Sequence, residues 1–528
     1  MSALSPTATP TVAASPRATG GARAGWALAA LIVLAAALRL PTLGAQSLWY
    51  DEAFTAVHVF HPSLSATLSA MVHTENSPPL WYLLEWLDVR VLGDGAFALR
   101  LPSALAGIAT VPVAWAIGRE LHGRRAAVIA AALVAVNPLF VWYSQEARVY
   151  SLFVLTSSVA ILFFLRALAD PSRRRMAQFA LACAVALLTH YFFVFLLAPM
   201  VLWLLRERRL RRAGALAIAA VAIVGLSLLP LVIAQGGHGT QWIGRWALGN
   251  RLEAIPQYYL TGYSGAPLGH GVELLIALPI LAGAALGINA LRAAENARAR
   301  RGALVPLVLF GGGVLLPLAL AIAGADYLAP RNLVAAMLPL SALLAVLFAG
   351  ATETRGVVRG RGEREPPPSD SALIAIALAA LTVVAFAAVC IDVSLSPRLQ
   401  RGNWRGVARA LRPVGRQAAI STVELASAPL EYYLGGLRHL PRGRTVTVSE
   451  IDEIGYAPLR SGAREPPAPG FRLAARLDVD GLITYRFRAS APLAVSERAL
   501  RAAVLTQARP EVLVPHGASA QRAGAGTA

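Results

Sequence analysis

The sequence predicts a polytopic α-helical membrane protein, about 11 transmembrane helices followed by a small C-terminal α/β domain. Three observations predict it. Of the 528 residues, 56% are hydrophobic and only 15% are charged, whereas an average soluble domain carries about 25% charged residues. The charge is also uneven: long apolar stretches alternate with short arginine-rich segments, the pattern of a chain that crosses a bilayer repeatedly. After residue 391 that pattern stops, and a polar segment containing prolines and arginines follows.

Composition excludes some classes. The net charge of +19 would suit a nucleic-acid binder, but the arginines sit between apolar spans, where orientation rules place them. No nucleic-acid partner is expected; the lipid bilayer is. Cys183 and Cys390 are the only cysteines and both lie in apolar runs, which excludes a disulfide framework.

Taken in order, residues 1–24 are rich in Ala, Ser, Thr and Pro and read as a disordered tail. The run 26–43 lacks a small-residue cleavage pattern and has many spans after it, so it reads as a retained helix rather than a signal peptide. A spanning helix needs about 20 mostly apolar residues. Further candidates lie near 97–118, 126–142, 150–168, 176–189, 191–205, 213–234, 271–291, 303–323, 331–350 and 371–391. Residues 176–205 are too long for one helix, and Thr189-His190-Tyr191 marks a reversal between two.

The loops test this count. Arg119, Arg124 and Arg125 share a loop, as do Arg173 to Arg175, and Arg206 to Arg212 holds five more arginines. Arg292, Arg298, Arg300 and Arg301 form a fourth group, and Arg355, Arg359, Arg361 and Arg364 a fifth. With eleven spans all five fall on one side, together with Arg17 and Arg23. By the positive-inside rule that side is the cytoplasm. The expected setting is therefore the plasma membrane, with a cytoplasmic N-terminus and residues 25–391 as the membrane domain. The agreement requires that 80–92, with three charges and two tryptophans, lie in the interface instead of spanning. It then belongs to a first outer loop, 44–96. Residues 392–514 form an extracytoplasmic α/β domain, with a helix over 403–411, strands near 418–422 and 445–449, and a hairpin over 471–488 that turns at Asp478-Val479-Asp480-Gly481. Residues 515–528 read as a disordered tail.

The residues suited to chemistry lie on the opposite side from the arginine loops. Trp49-Tyr50-Asp51-Glu52-Ala53-Phe54-Thr55 follows the first span. Transfer to a hydroxyl needs a base, and a partly desolvated carboxylate suits that role; an acidic solvated loop would look the same. In His73-Thr74-Glu75-Asn76-Ser77-Pro78-Pro79 the prolines fix a turn into the interfacial helix. The polar residues before them could bind phosphate directly, bind it through a divalent cation, or cap that helix. Ser144-Gln145-Glu146-Ala147-Arg148-Val149-Tyr150 places a carboxylate and a guanidinium at a junction of two spans. Charges there are functional candidates, unless Glu146 and Arg148 simply pair to fix the turn. His190 stands beside Tyr191 and is either structural or substrate-facing. In Asp326-Tyr327-Leu328-Ala329-Pro330-Arg331-Asn332, Arg331 opens a span; it could grip a phosphate bidentately or anchor the helix at the interface.

The series Trp-Tyr-Asp-Glu-Ala-Phe-Thr, Asn-Ser-Pro-Pro-Leu-Trp-Tyr, Ser-Gln-Glu-Ala-Arg-Val-Tyr-Ser-Leu, Thr-His-Tyr and Pro-Arg-Asn-Leu resembles the bacterial family 39-like glycosyltransferases over about 26–435. These share the GT-C fold with protein O-mannosyltransferases and the lipid A aminoarabinose transferase. The resemblance implies transfer of a mannose-like or pentose-like sugar from a polyprenyl-phosphate donor to a hydroxyl of a protein, lipid or glycan acceptor on the outer face. It implies that Asp51 is the catalytic carboxylate, with Glu52 beside it. His73, Glu75, Asn76, Glu146, Arg148, Tyr150, His190, Tyr191, Arg331 and Asn332 would line the substrate cavity, with Arg331 on the phosphate. A divalent cation, Mg or Mn, would be held by Asp51 and Glu75. Asn403-Trp404-Arg405 looks like the Asp-Trp-Arg that often opens the outer domain, with Asn in place of the acid. Two other readings stand: a ligase or polymerase of polyprenyl-linked glycans, marked by a large basic outer loop, and a lipid or sugar transporter, marked by midplane charges or inverted repeats.

Overall fold

Apolar runs of this length can leave water only if every backbone group is satisfied internally, so they fold as helices. The computed structural model describes residues 17–522 apart from 241, 264–268, 293–296, 353–368, 507–508 and 519. Helix α1 (Arg17–Arg39) leads into a long loop that carries α2 (Tyr50–Phe54), a π-turn (Thr55–Val59), α3 (Leu64–Thr74) and α4 (Leu80–Leu92). The membrane domain continues with α5 (Ala96–His122), α6 (Arg124–Val136), α7 (Pro138–Ser144), α8 (Tyr150–Ala169), α9 (Arg173–Thr189), α10 (Phe193–Arg206), α11 (Arg211–Ser227) and α12 (Leu229–Ala234). After α13 (Leu248–Thr261) come α14 (Gly269–Arg292), α15 (Ala297–Ile322), a 3-10 turn (Pro330–Ala336) that runs into α16 (Met337–Ala351), and α17 (Asp370–Leu395).

Every expected span falls on a helix, but eleven crossings is more than length and composition support. Among the described residues, seven helical stretches are long and apolar enough to cross a membrane, eight if the bent pair α6–α7 is one span. Helices α9 and α10 have 17 and 14 residues. At 1.5 Å per residue that is about 26 and 21 Å, short of a hydrocarbon core of ~30 Å. The expected break between them is present, at His190 to Phe192. Helix α4 buries Trp81, Tyr82 and Glu85 and exposes Leu84, Leu87 and Val91, the two-faced pattern of an interfacial helix. Helix α1 starts at Arg17, inside the expected tail, and the arginine segment 355–364 lies outside the described residues.

The break between α6 and α7 shows how buried backbone is satisfied. The two helices meet at 54°, because Pro138 has no N–H to give to the carbonyl of Val134. Arg39, fully buried at the end of α1, donates from Nη2 to that carbonyl at 3.2 Å and from Nη1 to Ala135 at 2.7 Å. The thiol of Cys390 donates to the Val136 carbonyl at 3.2 Å, and the Asn137 side chain accepts from the N–H groups of Leu139 and Phe140. A Cβ at Gly107 would lie 2.0 Å from Ser144 Oγ, so a glycine is required where Arg39 and Ser144 meet against α5.

Charges sort to the two ends of the helical domain. Arg125 donates to the Thr352 carbonyl after α16, and Arg166 of α8 pairs with Glu120 of α5. At the other end the acidic loops and Arg331 converge. The polar domain sits on that end. It comprises α18 (Trp404–Leu411), β1 (Ala418–Thr422), α19 (Ser427–Leu434), β2 (Leu437–His439), β3 (Arg444–Tyr456), β4 (Arg472–Val479), β5 (Leu482–Ser496), α20 (Glu497–Ala502), β6 (Glu511–Pro515) and β7 (Ala520–Arg522). The strands form one mixed sheet in the order β2-β6-β1-β3-β5-β4, with β7 also on β3 and only β1–β3 parallel. The predicted hairpin is β4–β5; Asp480 and Gly481 take positive φ at its tip, as a two-residue turn requires. The predicted strand 445–449 is only the start of β3. The expected tail 515–528 begins too early, because 520–522 pairs with β3; residues 523–528 lie outside the described residues.

Arg39→Met strands two carbonyls in an apolar interior, at about 1–3 kcal/mol for each group left unpaired. The variant in detergent should melt several degrees below wild type by scanning fluorimetry; an equal Tm would show that the break does not depend on Arg39.

Candidate active site

Helix α2 is one and a half turns long and carries the adjacent acids. Successive residues of a helix point about 100° apart, so the two carboxylates diverge. Glu52 turns inward and is 1% exposed. Arg100 of α5 grips it bidentately, with Nε on Oε1 and Nη2 on Oε2, both at 2.7 Å. The N–H of Ala147 adds a bond to Oε1 at 2.8 Å, and that of Trp49 one to Oε2 at 3.3 Å. Arg100 also donates to the carbonyls of Leu43, Gln46 and Ser47. Burial pushes the Glu52 carboxyl up, but Arg100, Arg401 and the Ala147 N–H hold it below the usual carboxylate range. Glu52, expected beside Asp51 as a catalytic group, thus ties the loop before α2 to α5 and to the turn before α8.

Asp51 turns the other way. Its Oδ2 lies 2.7 Å from Arg331 Nη1, and the two side chains are 20% and 22% exposed. Burial pushes the Asp51 carboxyl up, and Arg331 with Arg148 outweighs burial and holds it low. The Arg331 guanidinium also stacks on the Trp242 ring, 4.7 Å from its centroid. Two of the predicted residues, 280 positions apart, thus meet at a partly open point.

Around this pair the motifs interlock, with partners that differ from sequence order. Glu146 and Arg148 do not pair with each other. Arg148 binds Glu75 bidentately at 3.0 Å, and Thr55 donates to the same Glu75 oxygen at 2.9 Å. Glu146 is fully buried and pairs with Arg401, whose Nη2 lies 3.0 Å from Oε2; its other oxygen has no hydrogen-bond partner among the described residues. Burial raises this carboxyl to about 7 although Arg401 pulls it down. Tyr150 packs on Tyr143 at 4.8 Å.

The remaining predicted residues make contacts with their own surroundings. His190 accepts the Phe192 N–H on Nδ1 and stacks on Phe153 at 4.4 Å. Burial, helped by Arg148 and Arg331, drops its pKa to about 3, so it stays neutral at ordinary pH. Tyr191 donates to Gln235, which in turn donates to the carbonyls of Met71 and Ser77. Asn76 reaches the His238 carbonyl, His73 bonds the Ser69 carbonyl within α3, and Asn332 donates to the Tyr327 carbonyl. The residues expected for a divalent cation do not fit one. Asp51 Oδ2 and both Glu75 oxygens already face guanidinium groups, and the described residues contain no group of three His, Cys, Asp or Glu side chains able to hold a metal.

The sequence reading missed Arg100 and Arg401. An arginine inside the apolar run 97–118 is a functional candidate by default, so Arg100 carried a signal. Arg401 carried none, because its partners lie 255 and more residues away.

Residues 76–233 match the profile of the family described as dolichyl-phosphate-mannose-protein mannosyltransferase. The undecaprenyl phosphate-alpha-4-amino-4-deoxy-L-arabinose arabinosyl transferase of Pseudomonas aeruginosa is 28% identical over 282 residues, 51% of this chain and 48% of that protein. The match thus spans about half the length of that relative. ArnT from Cupriavidus metallidurans, solved with undecaprenyl phosphate, superposes with TM-score 0.50 at 14% identity, covering 88% of this chain and 98% of that one; its apo state gives 0.51. The chain has the GT-C fold. In this chain the polar domain packs beside the pair, with Trp404 against Tyr50 at 5.6 Å between ring centroids.

Asp51 and Glu52 should separate on mutation. Glu52→Gln weakens the partner of a buried arginine, where loss of a buried ion pair costs about 3–5 kcal/mol, and should sharply lower Tm or yield. Asp51→Asn, at a partly exposed pair, should leave Tm within a degree or two. Comparable losses in both variants would contradict the division of roles.

Proposed function

We propose that this chain is a membrane glycosyltransferase that moves a sugar from a polyprenyl-phosphate donor to an acceptor hydroxyl, with Asp51 as base and inversion at the anomeric carbon. The observation that carries the reading is the Asp51–Arg331 pair, 2.7 Å apart at a partly open point among the converged motifs. Its support from likeness is the mannosyltransferase profile over 76–233, the arabinosyl transferase of Pseudomonas aeruginosa, and the fold shared with ArnT, which was solved holding undecaprenyl phosphate.

In the resting protein the two groups satisfy each other. A donor phosphate brings the bidentate anion that a guanidinium prefers, and it displaces the Asp51 carboxylate from Arg331. Freed of that charge, Asp51 becomes a stronger base, since the arginine was the main influence holding its pKa down. Asp51 then takes the proton of the acceptor hydroxyl. The acceptor oxygen bonds to the anomeric carbon while the bond from that carbon to the phosphate oxygen breaks, and polyprenyl phosphate leaves with its charge against Arg331. A single displacement inverts the centre. The sugar is mannose-like or pentose-like and the acceptor a protein, lipid or glycan. The site lies on the outer side of the plasma membrane, opposite the arginine loops, with the N-terminus inside.

The glycan ligase or polymerase reading has less support. The two arginines of the 235–270 loop go to separate acids instead of forming one basic patch: Arg251 binds Asp326 at 2.6 Å and Arg245 lies 3.7 Å from Glu424.

In membrane vesicles supplied with polyprenyl-phosphate sugar, Asp51→Asn should lower transfer by about 10²–10⁴, the range for loss of a general base, while donor binding persists. Transfer at the wild-type rate would refute the base assignment.

A further inference from the structure

Arg401 belongs to none of the membrane motifs. It lies between α17 and α18, where the chain leaves the helical domain, and its side chain is 2% exposed. It enters the acidic cluster from the side of the polar domain. Nη2 bonds Glu146 at 3.0 Å and the Trp142 carbonyl at 3.3 Å, Nη1 bonds the side chain of Gln46 at 3.3 Å, and Nε stands 4.0 Å from Glu52. The guanidinium carbon lies over the Trp142 ring, 4.1 Å from its centroid. One side chain thus touches the loop before α2, the clamp of Glu52, and the motif that carries Glu146.

Its effect on Glu146 is the part that goes beyond scaffolding. Glu146 is fully buried, and Arg401 occupies only Oε2; Oε1 has no partner among the described residues. An unpaired buried oxygen is costly, and a hydroxyl hydrogen placed against it would remove that cost. The charged groups that face Glu146 are Arg401, Arg100 of α5, and Glu52 and Asp51 of α2; the nearby Tyr143, Tyr150 and Tyr263 are phenols, which are neutral at ordinary pH. Two carboxylates oppose its ionisation, and Arg401 is the group in direct contact that favours it.

We propose that Arg401 is a positioning residue for sugar transfer: reaching in from the polar domain, it fixes the place and negative charge of Glu146 so that Oε1 is left to accept a hydrogen bond from a hydroxyl of the donor sugar. The inference rests on the glycosyltransferase reading. It also makes the polar domain a working part of the membrane site, since its lead-in supplies the group that holds Glu146.

The experiment is a double-mutant cycle in the full-length protein, with R401M, R401K, E146Q and R401M/E146Q. Two quantities are read: the pH profile of kcat/KM for transfer from polyprenyl-phosphate sugar, and the protonated-carboxyl infrared band that E146Q removes. In wild type that band should titrate near pH 7, where burial sets Glu146. In R401M its midpoint and the rising limb of kcat/KM should both move up by at least ~1 unit, a tenfold loss near neutrality per unit that is recovered at higher pH. R401K keeps the charge and should retain most of the profile even if R401M folds poorly. In the E146Q background, R401M should cost less than about threefold. An unshifted band, or losses that multiply in the double variant, would overturn the proposal and leave Arg401 a structural tie. A shifted band in a protein that transfers no sugar would instead refute the glycosyltransferase reading, while the coupling of Arg401 to Glu146 stood.

Discussion

The site end of this protein is organised by one buried carboxylate, that of Glu52. A charge in a sealed, low-dielectric place is tolerated only when each lone pair has a donor, and here Arg100 and two backbone N–H groups supply them. Meeting that condition draws together α2, α5, the loop before α2 and the turn before α8. Arg100 in turn needs acceptors for its remaining protons and finds them in three carbonyls of the same loop. Because Glu52 is fixed, its neighbour Asp51 must point away from the clamp, toward Arg331. The adjacent acids thus differ in role through helix geometry alone.

The same constraint recurs through the interior. Arg39 answers carbonyls freed by Pro138, Arg148 answers Glu75, Arg251 answers Asp326, and Arg401 answers Glu146. In the last of these a carboxylate oxygen, Glu146 Oε1, has no partner among the described residues, and the Arg148 and Arg251 pairs each leave Nε without one. The Asp51–Arg331 pair joins opposite charges from distant motifs and is partly exposed.

Much of this was legible in the sequence, and the limits have physical causes. Apolar runs and arginine loops located the helices, because hydrophobicity over a span is a local property. The count of crossings was less legible, since α1 ends at Arg39, inside the expected span 26–43, and α9 and α10 are short. Asp51, Glu75, Glu146, Arg148 and Arg331 were identified as candidates because charges beside apolar spans are costly enough to need a reason. Their pairing was not readable: Glu146 and Arg148 are two residues apart and face different partners. Arg401 was hidden because its meaning depends on contacts with Gln46, Glu52 and Glu146, all far away in the chain. The hairpin at Asp480-Gly481 was readable because a two-residue turn is fixed by its own residues.

The central claim is that Arg331 receives the phosphate of a lipid-linked sugar. Native mass spectrometry of the protein extracted from membranes tests it most directly. The account predicts a polyprenyl-phosphate-sugar adduct on wild type, retained in Asp51→Asn and depleted in Arg331→Ala at equal folded yield. Equal adduct occupancy in Arg331→Ala, or no lipid-phosphate adduct on wild type even after polyprenyl phosphate is added, would contradict it.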